Sequence, residues 1–364
     1  MPVSSFFHSV MKVSKMKIPE TDASKTAKPV ILTNLKRRRF RFGEFIIERV
    51  IYLTAFLSLA FIILIFVFVF KEASSIFTQQ KQDTSAQSEK METYGDTPDM
   101  AGSTSGTTER EAEHSSIKDL LSTVWQPVSL HPRFGIWPLF LGSIKVALLS
   151  LLIGAPFAVF AALYTSSFAP SWVKEIVKPV IEILAGFPSV VIGFFALLVL
   201  ASAVQHLFGL QYRLNAFVGG IAMALAIIPV IFTISEDSLN AVPRSYVEAS
   251  LALGAEKWET MLFVVFPAAI PGIFAAVLLG IGRAIGETMI VLMATGNAAL
   301  STLNPFDPVR TMSATIGAEM AEVVFGDFHY SVLFFIGVLL FLMSFLLNFF
   351  AETVVRKLVM RRFT

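Results

Sequence analysis

The sequence contains no cysteine, which excludes disulfide bonds, thiolate metal ligands and cysteine nucleophiles. It also lacks the glycine-rich phosphate-binding loop in which Gly-Lys is followed by Ser or Thr. The histidines are scattered without the spacing of a metal motif, and we interpret them as surface or interfacial side chains. No enzymatic function is predicted, and neither a metal nor a directly bound cofactor is expected.

Charge is also scarce in this chain. Charged residues make up 15% of the sequence, against about 25% in a typical soluble domain, and 55% of the residues are hydrophobic. The mean hydropathy of +0.69 agrees with this bias. The composition therefore predicts a polytopic protein surrounded by membrane lipid, and a net charge of +2 is too small to indicate a nucleic-acid partner.

The first apolar run, residues 45–70, follows a basic cluster at residues 36–41. A cleaved signal peptide is excluded because the apolar run is too long and no small-x-small cleavage site follows it. A run of roughly 20 apolar residues spans a bilayer, and basic residues stay on the cytoplasmic side. We therefore predict a cytoplasmic basic segment at 1–44 and an outward-leading first transmembrane helix at 45–70.

The next region, residues 71–135, is predicted to be an extracytoplasmic flexible loop. Its section 79–113 is acidic and polar, and it contains too few apolar residues to fold alone. We interpret this section as a solvated linker, with partner binding as the alternative.

Residues 136–355 form the predicted permease core. Together with the first helix its five spans make an all-α membrane protein of about six transmembrane helices with both termini cytoplasmic; the five spans are 138–164, 181–205, 216–234, 268–293 and 330–352. Basic residues in the predicted inner loops and in the tail 356–364 agree with this orientation, with Arg213 and Arg310 as lone cations in outer loops. Lys145 is predicted to snorkel or to face a protein neighbour. Residues 184–189 are predicted to be a close packing point, with pathway lining as the alternative.

The longest predicted cytoplasmic loop is residues 235–267. Pro243 can start a helix, and Gly254 permits a sharp turn. We expect two short helices here, at about a right angle, against the inner membrane surface. They form either a plain amphipathic surface or a helix presented to a groove on a cytosolic partner.

This loop resembles the signature of type I ABC importer permeases. Glu248, Ala249 and Gly254, followed by Pro267, match the family spacing, while Ser250, Val264 and Phe266 are size-conserving departures. The resemblance implies the type I ABC importer permease fold. It also implies that Glu248, Ala249 and Gly254 couple the chain to a cytosolic ABC ATPase, present in two copies, which uses the ATP.

The span that follows this loop indicates which type of importer permease the chain resembles. Residues 282–289 read GRAIGETM and residues 294–297 read ATGN, which is similar to phosphate importer permeases of the PstC type. The resemblance covers residues 134–352. It implies a bacterial inner membrane location, phosphate as substrate, a periplasmic phosphate-binding protein, and a second, PstA-like permease subunit in a heterodimer.

Two charges stand within this apolar span. Arg283 and Glu287 are four residues apart, so a continuous helix would place them on one face, where they can pair. A purely structural salt bridge is one interpretation. The other places Arg283, Glu287 and Thr288 in the substrate pathway: Arg283 meets the anion, and Glu287 holds Arg283 and limits anion affinity. The resemblance implies that both charges are required for transport.

Gly280, Gly282 and Gly286 recur on or near one side of the same span. Small residues let a second helix approach closely, so these glycines predict a packing surface along the pathway.

Three alternatives remain at this stage. The cargo is another oxyanion, such as sulfate or molybdate, which anion competition would separate. The chain is an ion-driven secondary transporter or a channel, which independence from ATP would reveal. Or it is a membrane scaffold, in which case no ATPase copurifies with it.

Overall fold

A computed structural model of the chain describes residues 42–92, 120–129 and 131–363. Residues 1–41 of the predicted basic segment and residues 93–119 of the predicted polar loop lie outside these described residues. The basic side chains of the predicted tail 356–364 lie outside them as well. The chain divides into two compact units, Met1–Phe61 and Ile62–Thr364.

The described part of the first unit is the beginning of a long helix, α1. Every side chain from residue 46 to residue 59 is exposed, and most are large and apolar. Such a surface suits lipid, as expected for a membrane-spanning helix.

The described residues are mostly helical. The helices are α1 Phe42–Glu92, α2 Trp137–Ser167, α3 Ser171–Gly186, α4 Ser189–Phe208, α5 Ala216–Asn240, α6 Arg244–Ala252, α7 Lys257–Gly286, α8 Met289–Ala294, α9 Met312–Glu319 and α10 Phe328–Phe363. Within the described ranges, six of them (α1, α2, α4, α5, α7 and α10) are long and apolar enough to cross a membrane. The predicted all-α fold with six spans is confirmed.

The centre of the second unit is α5, which packs between α2 and α7. Gly154 of α2 faces Ile227 so closely that a Cβ there would lie 3.1 Å from its side chain. Gly280 of α7 faces Ile231, and a Cβ there would lie 2.7 Å from it. Small residues on both neighbours therefore bring the backbones of the three helices close together.

The second core span differs from the prediction. Residues 181–205 were expected to form one kinked helix, but α3 ends at Gly186, Phe187 is extended with ψ 129°, and α4 begins at Ser189. Proline disfavours helical geometry in the residue before it, so Pro188 breaks the helix. Within the described single chain, residues 185–188 are exposed and nothing lies within 4 Å of a Cβ on Gly186, so a helix packed against residues 184–189 stays a prediction.

The region beyond residue 70 is also more ordered than predicted. Helix α1 continues to Glu92 instead of ending at residue 70. A short antiparallel hairpin follows in the later part of the predicted loop, with β1 (Trp125–Gln126) paired to β2 (Arg133–Phe134). Ile76, Trp125 and Phe134 are buried in one apolar cluster with the start of α10. The predicted flexible loop is therefore structured at both ends.

Lys145 faces a protein neighbour, which decides between its two interpretations. Its Nζ donates to the carbonyl oxygens of Thr302 at 2.9 Å and Asn304 at 3.0 Å. Thr295 Oγ1 donates to the carbonyl of Val309 at 2.9 Å. These bonds fold the connection between α8 and α9 back onto the bundle.

Candidate functional site

The connection between α5 and α7, residues 241–256, is called the elbow below. It contains the first of the two predicted short helices, α6. The second predicted helix is the first turn of α7, which continues through a π-helical turn at Met261–Val265 into the membrane span. The elbow is therefore attached directly to the span that carries the two predicted pathway charges.

The predicted sharp turn at Gly254 is present. Gly254 has φ +91°, a conformation that residues with a side chain rarely adopt. Its N–H donates to Leu251 O at 3.0 Å, and the N–H of Ala255 donates to Ser250 O at 3.3 Å, so the last carbonyls of α6 are satisfied.

Side chains then fix α6 against the start of α7. The backbone N–H of Glu256 donates to the Glu259 carboxylate at 2.8 Å, and Trp258 Nε1 donates to the Glu256 carboxylate at 2.7 Å. The hydroxyls of Ser250 and Thr260 lie 3.0 Å apart. The elbow is therefore preformed, since its turn is bonded to the first residues of α7.

The outer surface of the elbow is exposed. None of the α6 residues is buried, and Glu248 and Ala249, the two predicted coupling residues on this helix, are both exposed. Leu253 is 89% exposed and Trp258 is 48% exposed. Exposed aromatic side chains are enriched at protein-binding surfaces.

The π-helical turn lies just above the elbow. The N–H of Phe266 donates to the carbonyl of Met261, five residues back, and Pro267 has no N–H to donate to the preceding turn. A cleft of 720 Å³ opens here between the end of α5, α6 and α7, with Tyr246 and Phe263 in its wall. The helix is therefore irregular where it leaves the elbow.

At its other end α7 stops earlier than predicted. Helix geometry ends at Gly286, Glu287 is extended with φ −72° and ψ 133°, and α8 begins at Met289. Glu287 and Thr288 are called the break below. The expected continuous span 268–293 is wrong, and so is the expectation that Arg283 and Glu287 share one helix face.

The two charges are consequently not paired. No ion pair joins Arg283 to Glu287 or to any other residue in the described part of the chain. The Glu287 carboxylate instead accepts from the backbone N–H of Thr288 at 3.2 Å. The interpretation as a structural intrahelical salt bridge is therefore not supported.

Arg283 is exposed in the single chain, while Glu287 and Thr288 are half-buried. A charged side chain facing lipid at the centre of a span costs about 2.5–3.5 kcal/mol on insertion scales. The face of α7 that carries Arg283 therefore requires a protein or water neighbour.

The three predicted packing glycines have different surroundings. Gly280 contacts Ile231 within the bundle, as described above, and a Cβ on Gly282 would lie 3.7 Å from Asn348 Oδ1 of α10. Gly286 has open space where its side chain would be. A second subunit against Gly286 stays a prediction.

Helix α9 supports the break from one side. Ser313 Oγ donates to the carbonyl of Glu287 at 2.7 Å. Gly317 faces Thr288 so closely that a Cβ would overlap the Thr288 methyl group. The break, in which Glu287 is extended, is therefore held in place by a helix that follows it in sequence.

Sequence reasoning missed a charged cluster beside α9. Glu319 accepts from Trp125 Nε1 at 3.1 Å, forms an ion pair with Arg310 at 2.6 Å and contacts His329 Nε2 at 2.9 Å. These four residues are called the clamp. The side chains of Arg310, Glu319 and His329 are 14%, 11% and 14% exposed, so Arg310 is not a lone cation and His329 is not a surface histidine. Burial raises the pKa of Glu319, but hydrogen bonds from His329 and Trp125 and the charge of Arg310 outweigh it, so the pKa lies below its ordinary value.

Comparison with known proteins gives a matching family and several relatives. The family described as binding-protein-dependent transport system inner membrane component matches residues 154–360. The probable ABC transporter permease protein YqgH of Bacillus subtilis is 38% identical over 64% of this chain and 75% of that protein. The phosphate transport system permease protein PstC of Mesorhizobium japonicum is 32% identical over 63% of this chain and 75% of that protein. A solved structure of the MetNI methionine ABC transporter in an inward-facing conformation is 19% identical, with TM-score 0.47, over 62% of this chain and 94% of that chain.

Proposed function

The chain belongs to the family of binding-protein-dependent transport system inner membrane components, and from this premise we propose that it is a permease subunit of an ATP-driven phosphate importer. Relatives named as phosphate permeases support the choice of substrate. The protein is a multi-pass membrane protein, and its place in a bacterial inner membrane with both termini cytoplasmic is part of the proposal.

The observation that carries this proposal is the unpaired Arg283 near the end of α7. The same helix is bonded to the exposed elbow at its beginning. Thirty residues of helix extend over about 45 Å, so one element joins a partner-binding surface to a cation inside an apolar span. Movement imposed on the elbow therefore reaches Arg283.

In the proposed mechanism the elbow docks on a cytosolic ATPase, and two such subunits hydrolyse ATP outside this chain. Their closure moves the elbow, and α7 tilts with it as a rigid element. A periplasmic phosphate-binding protein delivers the anion to the outer side. The second, PstA-like permease covers the face of α7 that carries Arg283 and Gly286.

Arg283 contacts the phosphate in this mechanism. Its guanidinium presents several donors in one plane, which suits phosphate oxygens, and it has no competing carboxylate among the described residues. Glu287 and Thr288 line the same passage at the break. The Glu287 carboxylate repels the anion and limits how tightly it binds.

Replacement of Arg283 tests the proposal. We expect Arg283→Gln to reduce ATP-dependent phosphate uptake by about a hundredfold, because the anion loses its cationic contact, while the ATPase still copurifies. Arg213→Gln, which removes a cation from an exposed outer connection, serves as the control and keeps uptake. Uptake by Arg283→Gln at the native rate would contradict the pathway. Competition with sulfate and molybdate in the same assay tests the choice of phosphate.

A further inference from the structure

Helix α9 is too short to be stable alone, since isolated helices of about 12 residues are already marginal in water. It has eight residues, and contacts at its two ends hold it in place. At its beginning Thr311 Oγ1 accepts from Ala314 N–H at 3.2 Å, and the N–H of Met312 donates to Ser143 Oγ of α2 at 2.9 Å. At its end Glu319 is held by the clamp.

The clamp joins one residue of the hairpin to a stretch of the chain about 190 positions later that contains its other three residues. Trp125 belongs to the hairpin, Arg310 to the connection before α9, and His329 to the start of α10. The rings of Phe134 and Phe328 pack edge to face beside them, with centroids 5.2 Å apart. Glu319 is the common acceptor, so the position of the end of α9 depends on this carboxylate.

From these contacts we propose that Glu319 is a positioning residue, which seats α9 against the break and so keeps Glu287 and Thr288 in place. This inference rests on the proposed function, because it assigns Glu319 an indirect part in the same pathway. Glu319 itself does not contact the break. It acts through Ser313 and Gly317, the two α9 residues that do.

Loss of one clamp contact would leave buried polar groups without partners. Arg310 already has a buried Nε without a hydrogen-bond partner. Removal of the Glu319 charge would leave the Arg310 guanidinium buried without an ion-pair partner. A buried unpaired charge destabilises the structure around it. We therefore expect α9 to open locally when Glu319 is neutralised.

The cysteine-free sequence allows a direct test with single reporters in the full transporter complex. Ala314→Cys places a thiol on α9 where the native side chain is 1% exposed, and Ala226→Cys places one in α5 where it is 2% exposed. Both are labelled with N-ethylmaleimide, with and without Glu319→Gln. We expect Glu319→Gln to raise the labelling rate at position 314 about tenfold and to leave position 226 unchanged.

The matched control is Glu322→Gln, which neutralises an exposed carboxylate three residues further along the chain. It should change neither rate. An unchanged rate at position 314 in Glu319→Gln would overturn the inference. An equal rise at positions 314 and 226 would also overturn it, because that result indicates general unfolding.

Uptake kinetics separate this inference from the proposed function. If both hold, Glu319→Gln raises the KM for phosphate about fivefold at an equal amount of membrane-inserted protein, since the pathway is displaced and not lost. Increased labelling with native uptake would support the seating of α9 by Glu319 and would count against a pathway at the break. Native labelling with impaired uptake would overturn the role of Glu319 and leave the proposed function intact.

Discussion

The elbow and the break lie at opposite ends of α7, and different kinds of contact hold them. The side-chain bonds of the elbow join residues at most ten positions apart, as between Ser250 and Thr260. The break is held by Ser313 and Gly317, whose helix in turn depends on the clamp, where Trp125 and Glu319 are 194 positions apart.

The difference has a mechanical consequence. The elbow is a self-contained unit with an exposed surface, so a partner can move it without first disrupting the bundle. The break is fixed from one side by α9, a helix that follows it in sequence. When a partner displaces the elbow, α7 therefore moves relative to the break and α9, which stay fixed. This relative movement occurs near Arg283.

The largest expected effect comes from breaking the elbow at Gly254. Gly254→Asp puts a side chain at φ +91° and adds a carboxylate to the docking surface that carries Glu248. We expect phosphate uptake to fall about a hundredfold, equivalent to about 2.7 kcal/mol in the rate-limiting barrier. ATPase activity in the purified complex should no longer respond to phosphate.

Gly209→Asp is the control for this change, because Gly209 also has a positive φ, +62°, but ends α4. Neither glycine has an atom within 4 Å of an added Cβ, so both variants place a carboxylate at a positive φ without a clash, and they differ in location. Equal losses of uptake in both would show that strain alone, and not the elbow, accounts for the effect.

The same contrast explains which features were predictable. The turn at Gly254 was predicted because glycine adopts a positive φ more readily than any other residue. The six spans were predicted because burial in lipid needs long apolar runs. The interruptions at Pro188 and Glu287 were missed, because a kinked helix and a broken one have the same apolar sequence. Whether the helix breaks depends on neighbours such as α9. The clamp was missed because its three charged or titratable members lie nine and ten positions apart without a recognised motif, and Trp125 joins them from 194 positions away.

The second expected effect concerns the contact between α2 and the clamp. Gly142 of α2 lies against Arg310, and a Cβ there would overlap the Arg310 carbonyl oxygen. Gly142→Ala should therefore displace the backbone at the clamp and destabilise the protein by about 2 kcal/mol. The measurement is thermal unfolding of the purified protein in detergent.

Gly286→Ala is the matched substitution at the break end of α7, where an added methyl group meets open space. Its effect on thermal unfolding should stay within about 0.5 kcal/mol. If the proposed second permease packs here, Gly286→Ala instead weakens copurification of that subunit. Similar unfolding temperatures for the Gly142 and Gly286 variants would show that Gly142 is not more tightly packed than Gly286.

The smallest expected effect is the response of the clamp to pH. The pKa of Glu319 is lower in the folded protein than in the unfolded chain, because His329, Trp125 and Arg310 favour its carboxylate. A group of this kind contributes its full stabilisation above its unfolded pKa and loses it only as the pH falls through the lower folded value. The native protein should therefore exceed Glu319→Gln in thermal unfolding temperature by a constant amount from about pH 8 to about pH 5.5. The margin should shrink only in stronger acid, and a margin that already falls steadily between about pH 8 and about pH 5.5 would contradict the role of the Glu319 carboxylate.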